Sequence, residues 1–440
     1  MSNLSDKREK SKNDIAWRNL FKKYFILEKI SENGFFEIDS ASINEFRESR
    51  LMAKFDHNAN LPKVFKDHQL SILPISRSKY IIGKFDAYLS VTYSDNLEAV
   101  AVEFPKGIET IDYTNLYSES SALSCAFNTG IINDLINDED TFYYTVYGRM
   151  STGKFTFKIN SVLDDNRYNI EVNNSQCEVD AGFESEKYFL LLEAKLYDVD
   201  DFLVRQLYYP YRLWSNKIPN KEVVPVLMTY SNSSNTFSFF IYRFDNPENY
   251  NSIKLVEQKN YIIAPETITH EDVSEIFSKT TIVSEPNVPF PQANKFERII
   301  DLLTILLDKE LTKDEITTNY QFDERQTIYY TDAARYLGLM EKYIDPLTRE
   351  IIFRLSKEGN SLLKKRYKAK TLSLIEKILC HQVFYQTFEF TIQNGYIPKP
   401  NVIQKIMLSC KLNINDTTIK RRSSTVIGWT EWILKMLSDE

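Results

Sequence analysis

The stretch Gln176-Cys-Glu-Val-Asp180, followed by Tyr188-Phe-Leu-Leu-Leu-Glu-Ala-Lys195, decides how this chain of 440 residues is read. Tyr188 to Leu192 is an almost unbroken apolar run. A strand of that kind is buried on both faces, which places it inside a sheet. Cys177 to Val179 reads as the strand before it, ended by Asp180. Glu193 and Lys195 stand two residues apart at the end of the apolar strand, so they point to one face. A hairpin brings Asp180 beside them. Two carboxylates and an ammonium then meet at a strand end, next to a run too apolar to be surface.

Phosphodiester hydrolysis needs such a set. Asp180 and Glu193 would hold Mg²⁺, a hard cation that prefers carboxylate oxygens. The ion would polarise the phosphate and help make hydroxide from water. Lys195 would orient that water, lower its pKa, or offset charge on the pentavalent phosphorus. An unpaired lysine at a buried strand end is costly to place, so it asks for a reason. Glu-x-Lys alone is often just a salt bridge in a hairpin. The added Asp180, the apolar run and the helix that follows favour the chemical reading.

Working outward, Ser118 to Ile136 predicts a helix, because Leu123, Phe127, Ile131 and Leu135 recur at three-to-four spacing. Phe142–Val146, Lys154–Ile159 and Tyr168–Val172 read as strands, Val199–Trp214 as an aromatic-rich helix, and Val223–Tyr230 and Thr236–Arg243 as two more strands. The order helix, strands, buried strand, helix, strand gives an α/β (α+β) core: a mixed sheet flanked by helices. Residues 1–16 are charged with almost nothing to bury and read as a disordered tail. Residues 17–95 form an N-terminal α+β unit, and 96–285 the domain that carries the sheet. Pro286, Pro289 and Pro291 mark a stiff linker over 286–293. Beyond it, 294–370 shows three helices and a short hairpin, the winged-helix order, and 371–440 adds a C-terminal helical DNA-binding domain.

Composition narrows the classes. The charged and apolar fractions are 26% and 43%, ordinary for a folded soluble chain. No apolar run approaches the roughly 20 residues that span a bilayer, and no secretory signal is visible, so the expectation is a cytoplasmic protein without membrane contact. Cys125, Cys177, Cys380 and Cys410 form no CxxC pair, and His57, His68, His270 and His381 are far apart, which argues against zinc chemistry. Net charge is −7, but Pro291–Glu440 holds 23 basic and 19 acidic residues, leaving −11 for the rest. An acidic front with a more basic back fits a metal-using domain joined to a nucleic-acid-reading one. Gly148-Arg-Met-Ser-Thr-Gly-Lys154 mimics a phosphate loop, but Phe155 stands where Ser or Thr is required and a strand follows where a helix is needed.

With Asp180 and Glu193-Ala-Lys195 in these places, the chain resembles the PD-(D/E)XK nuclease superfamily, and more closely its type II restriction endonucleases. Val179 replaces the proline of the name. The resemblance is specific over about 117–212. It implies a restriction-endonuclease-like sheet and Mg²⁺-dependent, sequence-specific cleavage of double-stranded DNA, leaving 5′-phosphate and 3′-hydroxyl ends, with Mn²⁺ as a substitute ion. It points to Glu119, on the helix before the sheet, as a further metal-facing carboxylate. It also points to Gln206, in Gln206-Leu-Tyr-Tyr209, as a partner of the lysine or the phosphate. A homodimer on a palindromic site and a companion DNA methyltransferase follow from the same resemblance.

DNA contacts are expected from Arg325, Gln326, Tyr329 and Tyr330 on a recognition helix opening at Asp323. The basic clusters Lys364, Lys365, Arg366 and Lys420, Arg421, Arg422 suit phosphates, as does Arg77 in a turn. Two rival functions stand beside this one: a repair or defence nuclease of the same superfamily without sequence specificity, and a non-enzymatic winged-helix DNA-binding regulator. The latter leaves Asp180, Glu193 and Lys195 unexplained.

Overall fold

The computed structural model describes residues 12–94, 96–136, 140–263, 266–319, 322–410, 412, 414 and 416–437. Of the expected N-terminal tail, residues 1–11 lie outside these. Residues 12–16 do not extend as a tail but open helix α1 (Lys12–Tyr24). Asn13 donates to the Leu51 carbonyl (2.9 Å), Asp14 accepts from the Lys63 amide (2.5 Å), and Ala16 and Trp17 are buried. The polar side chains of that turn find backbone partners, which a count of apolar residues does not register.

The N-terminal segment continues with β1 (Phe35–Asp39), the one-and-a-half-turn helix α2 (Ser49–Ala53), β2 (Ser71–Pro74) and β3 (Lys79–Gly83). Its strands form an antiparallel sheet in the order β1-β3-β2. Trp17, Phe21, Phe55 and Phe65 fill its core, the first two and Phe65 meeting edge to face and Phe55 tilted against Phe65.

The central segment carries β4 (Val100–Val102), helix α3 (Glu119–Asn128), β5 (Tyr143–Ser151), β6 (Lys154–Asn160), β7 (Arg167–Asn173), β8 (Gln176–Glu184) and β9 (Tyr188–Lys195). Helix α4 (Arg205–Lys217) and strands β10 (Glu222–Ser231), β11 (Thr236–Phe244) and β12 (Ile253–Ile263) follow. Seven strands form one mixed sheet in the order β4-β12-β11-β10-β9-β8-β5. β8 and β9 make an antiparallel hairpin, and β9 runs parallel to β10 across the α4 crossover. β6 and β7 pair separately.

The long helix expected over 118–136 is interrupted. Gly130 adopts φ 80°, and a short helix, Ile131–Asp134, resumes after it. The helix expected from Val199 begins only at Arg205, because Asp201–Leu203 pairs as a strand with Tyr88–Ser90. Apolar spacing did not distinguish the two, since Phe202 and Leu203 are buried in either conformation.

Strand β9 divides the core. Leu190, Leu192 and Ala194 pack with Leu123 and Ala126 of α3, while Phe189 and Leu191 pack on the α4 side with Tyr211 and Trp214. By alternation, Glu193 and Lys195 share the α4 side.

The C-terminal segment runs α5 (Glu297–Ile305), β13 (Leu311–Thr312), α6 (Lys313–Asn319), α7 (Glu324–Tyr336), β14 (Met340–Ile344), β15 (Ile351–Leu355) and α8 (Lys357–Leu363). Its small sheet has the order β13-β15-β14. Helices α9 (Tyr367–Leu379), α10 (Gln382–Asn394), α11 (Pro400–Ser409) and α12 (Asp416–Lys435) complete it. One hydrophobic cluster runs from Ile268 to Met436, so 294–370 and 371–440 share a core. The proline-rich stretch joins it as well. Phe290 is 5% exposed and stacks on Phe384 with centroids 5.8 Å apart.

Gly428, in α12, shows how closely that core is built. A Cβ there would stand 2.2 Å from the Asn294 carbonyl oxygen, a backbone atom that cannot swing aside. Next to it Trp429 donates to the Ala293 carbonyl (2.7 Å). Gly428→Ala is expected to cost about 3 kcal/mol in urea denaturation through overpacking. An unchanged midpoint would mean that α12 does not dock on this stretch. Among the described residues no helix is long and apolar enough to cross a membrane.

Candidate active site

Asp180 does not end its strand, as the sequence reading had it, but lies inside β8 at an irregularity. Between the pairs Val146↔Gly182 and Gly148↔Val179, β5 advances two residues and β8 three. The extra residue is a β-bulge, a device that turns a side chain out of its regular direction. The clusters show the switch: Cys177 and Val179 pack on the α4 side, Ala181 and Phe183 on the α3 side. β9 meets β8 just past the bulge, with Leu192 opposite Ala181. Asp180 therefore comes to the end of β9, where its Oδ2 accepts from the Ala194 amide at 2.8 Å.

Glu193 and Lys195 are 7% and 6% exposed. The Lys195 ammonium donates to Glu193 Oε1 at 2.6 Å, so the lysine is paired, contrary to the sequence reading. Gln206 of α4 donates to the same oxygen. The other Gln206 amide atom, Oε1, is buried without a hydrogen-bond partner among the described residues. Glu119 opens α3 directly after its cap, where Ser118 and Ser121 exchange side-chain and backbone hydrogen bonds. It is close enough for its charge to act on both Asp180 and Lys195.

Burial dominates the electrostatics, and neighbouring carboxylates add to it. Burial first, and then Glu119, push the Asp180 carboxyl up to about 6, against the lowering pull of Lys195. Burial lifts Glu193 to about 7 despite Lys195. Glu119 is raised by burial and by Glu193. Lys195 moves the other way: burial would lower it, but Glu193, Glu119, Asp56 and Asp180 outweigh that and hold it well above its ordinary value.

Asp56 is the residue that sequence reasoning missed. It comes from the N-terminal segment, and no spacing rule links it to a strand more than a hundred residues away. Burial raises its carboxyl, but Lys195, Lys54 and Arg205 more than compensate, and it stays below its usual value. Its Oδ1 is buried without a hydrogen-bond partner among the described residues. The neighbouring His57 places it: Nδ1 lies 2.6 Å from the Asp201 carbonyl oxygen and Nε2 3.1 Å from the Tyr197 hydroxyl.

These groups line one cavity of about 730 Å³. Its walls come from all three segments, including Asp56 and Arg77 from the first and Lys309 and Leu311 from the third. Among the described residues, no three His, Cys, Asp or Glu side chains converge closely enough to ligate one ion as they stand. The donor set still suits Mg²⁺, which binds through one or two carboxylates and keeps waters or substrate phosphate as its remaining ligands. Asp180 and Glu193 would hold the ion, with Glu119 facing it.

The expected DNA-contacting residues fall into three groups. Arg325, Lys364, Lys365, Arg366, Lys420, Arg421 and Arg77 are exposed. Arg325 is in the first turn of α7, and Lys420 and Arg421 lie one turn inside α12. Gln326 closes a capping box with Asp323 (3.0 Å), and Tyr329 lies against the half-buried Arg422. Gln326 and Tyr329 also border a hollow of about 330 Å³. Tyr330 is a correction: it is 7% exposed and stacks on Phe322 with centroids 4.7 Å apart, so it serves the core. It falls one residue past the exposed face of its helix.

Three family models match the chain, each described as a domain of unknown function: DUF6996 over residues 14–82, DUF6997 over 83–262 and DUF7226 over 298–438. Asp180, Glu193 and Lys195 all fall within the second. No curated protein and no solved structure matches the chain.

Proposed function

We propose that the chain is a Mg²⁺-dependent endonuclease of the PD-(D/E)XK type that cuts double-stranded DNA. One observation carries this reading: Asp180, re-aimed by a bulge, meets Glu193 and a buried Lys195 at adjoining strands on the floor of a cavity. The order α3, β5, β8, β9, α4, β10 agrees with the helix, strands, buried strand, helix, strand pattern read from the sequence, a mixed sheet flanked by helices. Helices α5 to α8 with the β14–β15 hairpin fit a winged helix.

When bound, Mg²⁺ would supply Lewis acidity at the phosphate and a nucleophilic water at neutral pH. The chain's own groups do the rest. The Ala194 amide fixes Asp180, and Gln206 together with Lys195 fixes Glu193 through its Oε1. Lys195 keeps its proton, so it acts by charge and hydrogen bonding, offsetting the negative charge that grows on phosphorus. Exposed Arg325 on α7 and the clusters at 364–366 and 420–421 would bind DNA away from the cut. A type II restriction enzyme, acting as a homodimer beside a methyltransferase of the same site, is the specific form proposed.

Phage DNA incubated with the protein and Mg²⁺, followed by sequencing of the fragment ends, tests the proposal. Discrete fragments with a shared terminal sequence and 5′-phosphates are the expected result. A smear would make it a non-specific nuclease of the same chemistry. Intact DNA in Mg²⁺ and in Mn²⁺ would overturn the reading.

A further inference from the structure

Three cations that the hydrolytic groups do not engage stand at the wall of the same cavity. Arg50 lies in α2, Arg77 in the turn between β2 and β3, and Lys309 between α5 and β13; all three line the cavity and all are exposed. Among the described residues none of them makes a hydrogen bond or an ion pair. Two other lining cations already have carboxylate partners: Arg149 lies 3.3 Å from Glu178, and Lys54 lies 3.7 Å from Asp56.

Solitary surface arginines and lysines are common and usually only solvated. These three differ in where they converge. They come from chain positions as distant as 50, 77 and 309, yet border one opening. The same cavity holds the four carboxylates Asp56, Glu119, Asp180 and Glu193, which crowd around Lys195 with Arg205 and Lys54 near Asp56. A phosphodiester approaching those carboxylates is repelled unless positive charge meets it on the way in. A continuous backbone presents one charge after another, so several cations around one cavity can each meet a phosphate of the same strand.

We propose that Arg50, Arg77 and Lys309 form a backbone clamp that holds phosphates on either side of the one to be cut. This rests on the hydrolytic reading of the cavity. It makes the first and third segments part of the nucleic-acid channel, and it makes the N-terminal segment a substrate-binding element in its own right.

The full chain is titrated against a fluorescein-labelled 30-base-pair duplex in EDTA, where no cutting occurs, over a range of salt concentrations. In the triple variant Arg50→Ala, Arg77→Ala, Lys309→Ala, the slope of log affinity against log salt should flatten by about 0.9 per cation removed. Arg50→Lys with Arg77→Lys, which keeps the charges, should retain the original slope. Because the three side chains are exposed and unpaired, the melting temperature should not move. An unchanged slope in the triple variant overturns the clamp. Cleavage by the unmodified protein in Mg²⁺ is measured in parallel. Cutting with an unaltered slope removes the clamp alone. Steep, cation-dependent binding without cutting removes the hydrolytic reading and leaves a nucleic-acid-binding surface.

Discussion

Replacing Lys195 with alanine should lower the rate of DNA cleavage in Mg²⁺ by roughly 100- to 1000-fold while duplex binding in EDTA survives. The magnitude is that of removing one preorganised group aimed at developing negative charge. The structure gives the lysine two duties that the variant separates. Its ammonium pairs with Glu193 at 2.6 Å, and it is held protonated by the four carboxylates around it. Breaking a buried ion pair by removing one partner ordinarily costs about 3–5 kcal/mol. Here Glu193 keeps its bond from Gln206, and with a carboxyl already near 7 it takes up a proton instead of standing as a bare charge. Lys195→Met, which fills the same volume, should therefore melt close to the unmodified protein and be as inactive as the alanine variant. If either variant cuts DNA at the original rate, the assignment of Lys195 is wrong. If both unfold, the lysine's role is structural.

How far the sequence disclosed this site depends on whether neighbours in space are also neighbours in chain. Glu193 and Lys195 share a face because a strand repeats every two residues, and the apolar run before them fixed their depth. Asp180 was legible as a hairpin partner. Its position inside β8 was not, because a bulge inserts one residue without any mark in composition. Glu119 entered through resemblance, and its place at the head of α3 follows from the cap at Ser118. Asp56 had no local signal: it reaches the cavity through the docking of His57 on Tyr197 and the Asp201 carbonyl, contacts made across some 140 residues.

The same limit explains the misread elements. Strands β6, β7, β9, β10 and β11 were placed within one to three residues of their observed ends, because alternation or a continuous apolar run spans each. The errors gather where tertiary pairing overrides periodicity. Phe202 and Leu203 looked helical until Tyr88–Ser90 paired with them. Lys12–Ala16 looked like a tail until backbone groups from elsewhere met their side chains. Tyr330 looked like a reader of bases, although a helix turns its side chains by about 100° per residue, which is enough to carry it from the surface at Tyr329 into the core.

Asp180→Asn should stabilise the protein when metal is absent and forfeit the stabilisation that metal gives when it is present. Asparagine keeps the shape and can still accept from the Ala194 amide, but it removes the charge. In the folded protein the Asp180 carboxyl sits at about 6 because burial and Glu119 disfavour its ionised form. A carboxyl held above its unfolded value is destabilised at neutral pH, where it must ionise, by about 1.4 kcal/mol per pH unit of displacement. Without metal, the variant should thus be more stable than the unmodified protein by roughly 1–3 kcal/mol at pH 7. Metal should narrow or reverse that gap. Mn²⁺ at about 100 times its dissociation constant should stabilise the unmodified protein by about 2.7 kcal/mol, and it should leave the variant's melting temperature nearly fixed. Cleavage should fall at least about 100-fold with it, since the ion no longer has both its carboxylates. Melting curves with EDTA and with Mn²⁺ measure both effects. A variant that is less stable in EDTA, yet still gains from Mn²⁺, would show that burial and Glu119 do not disfavour the ionised carboxyl and that the ion binds elsewhere.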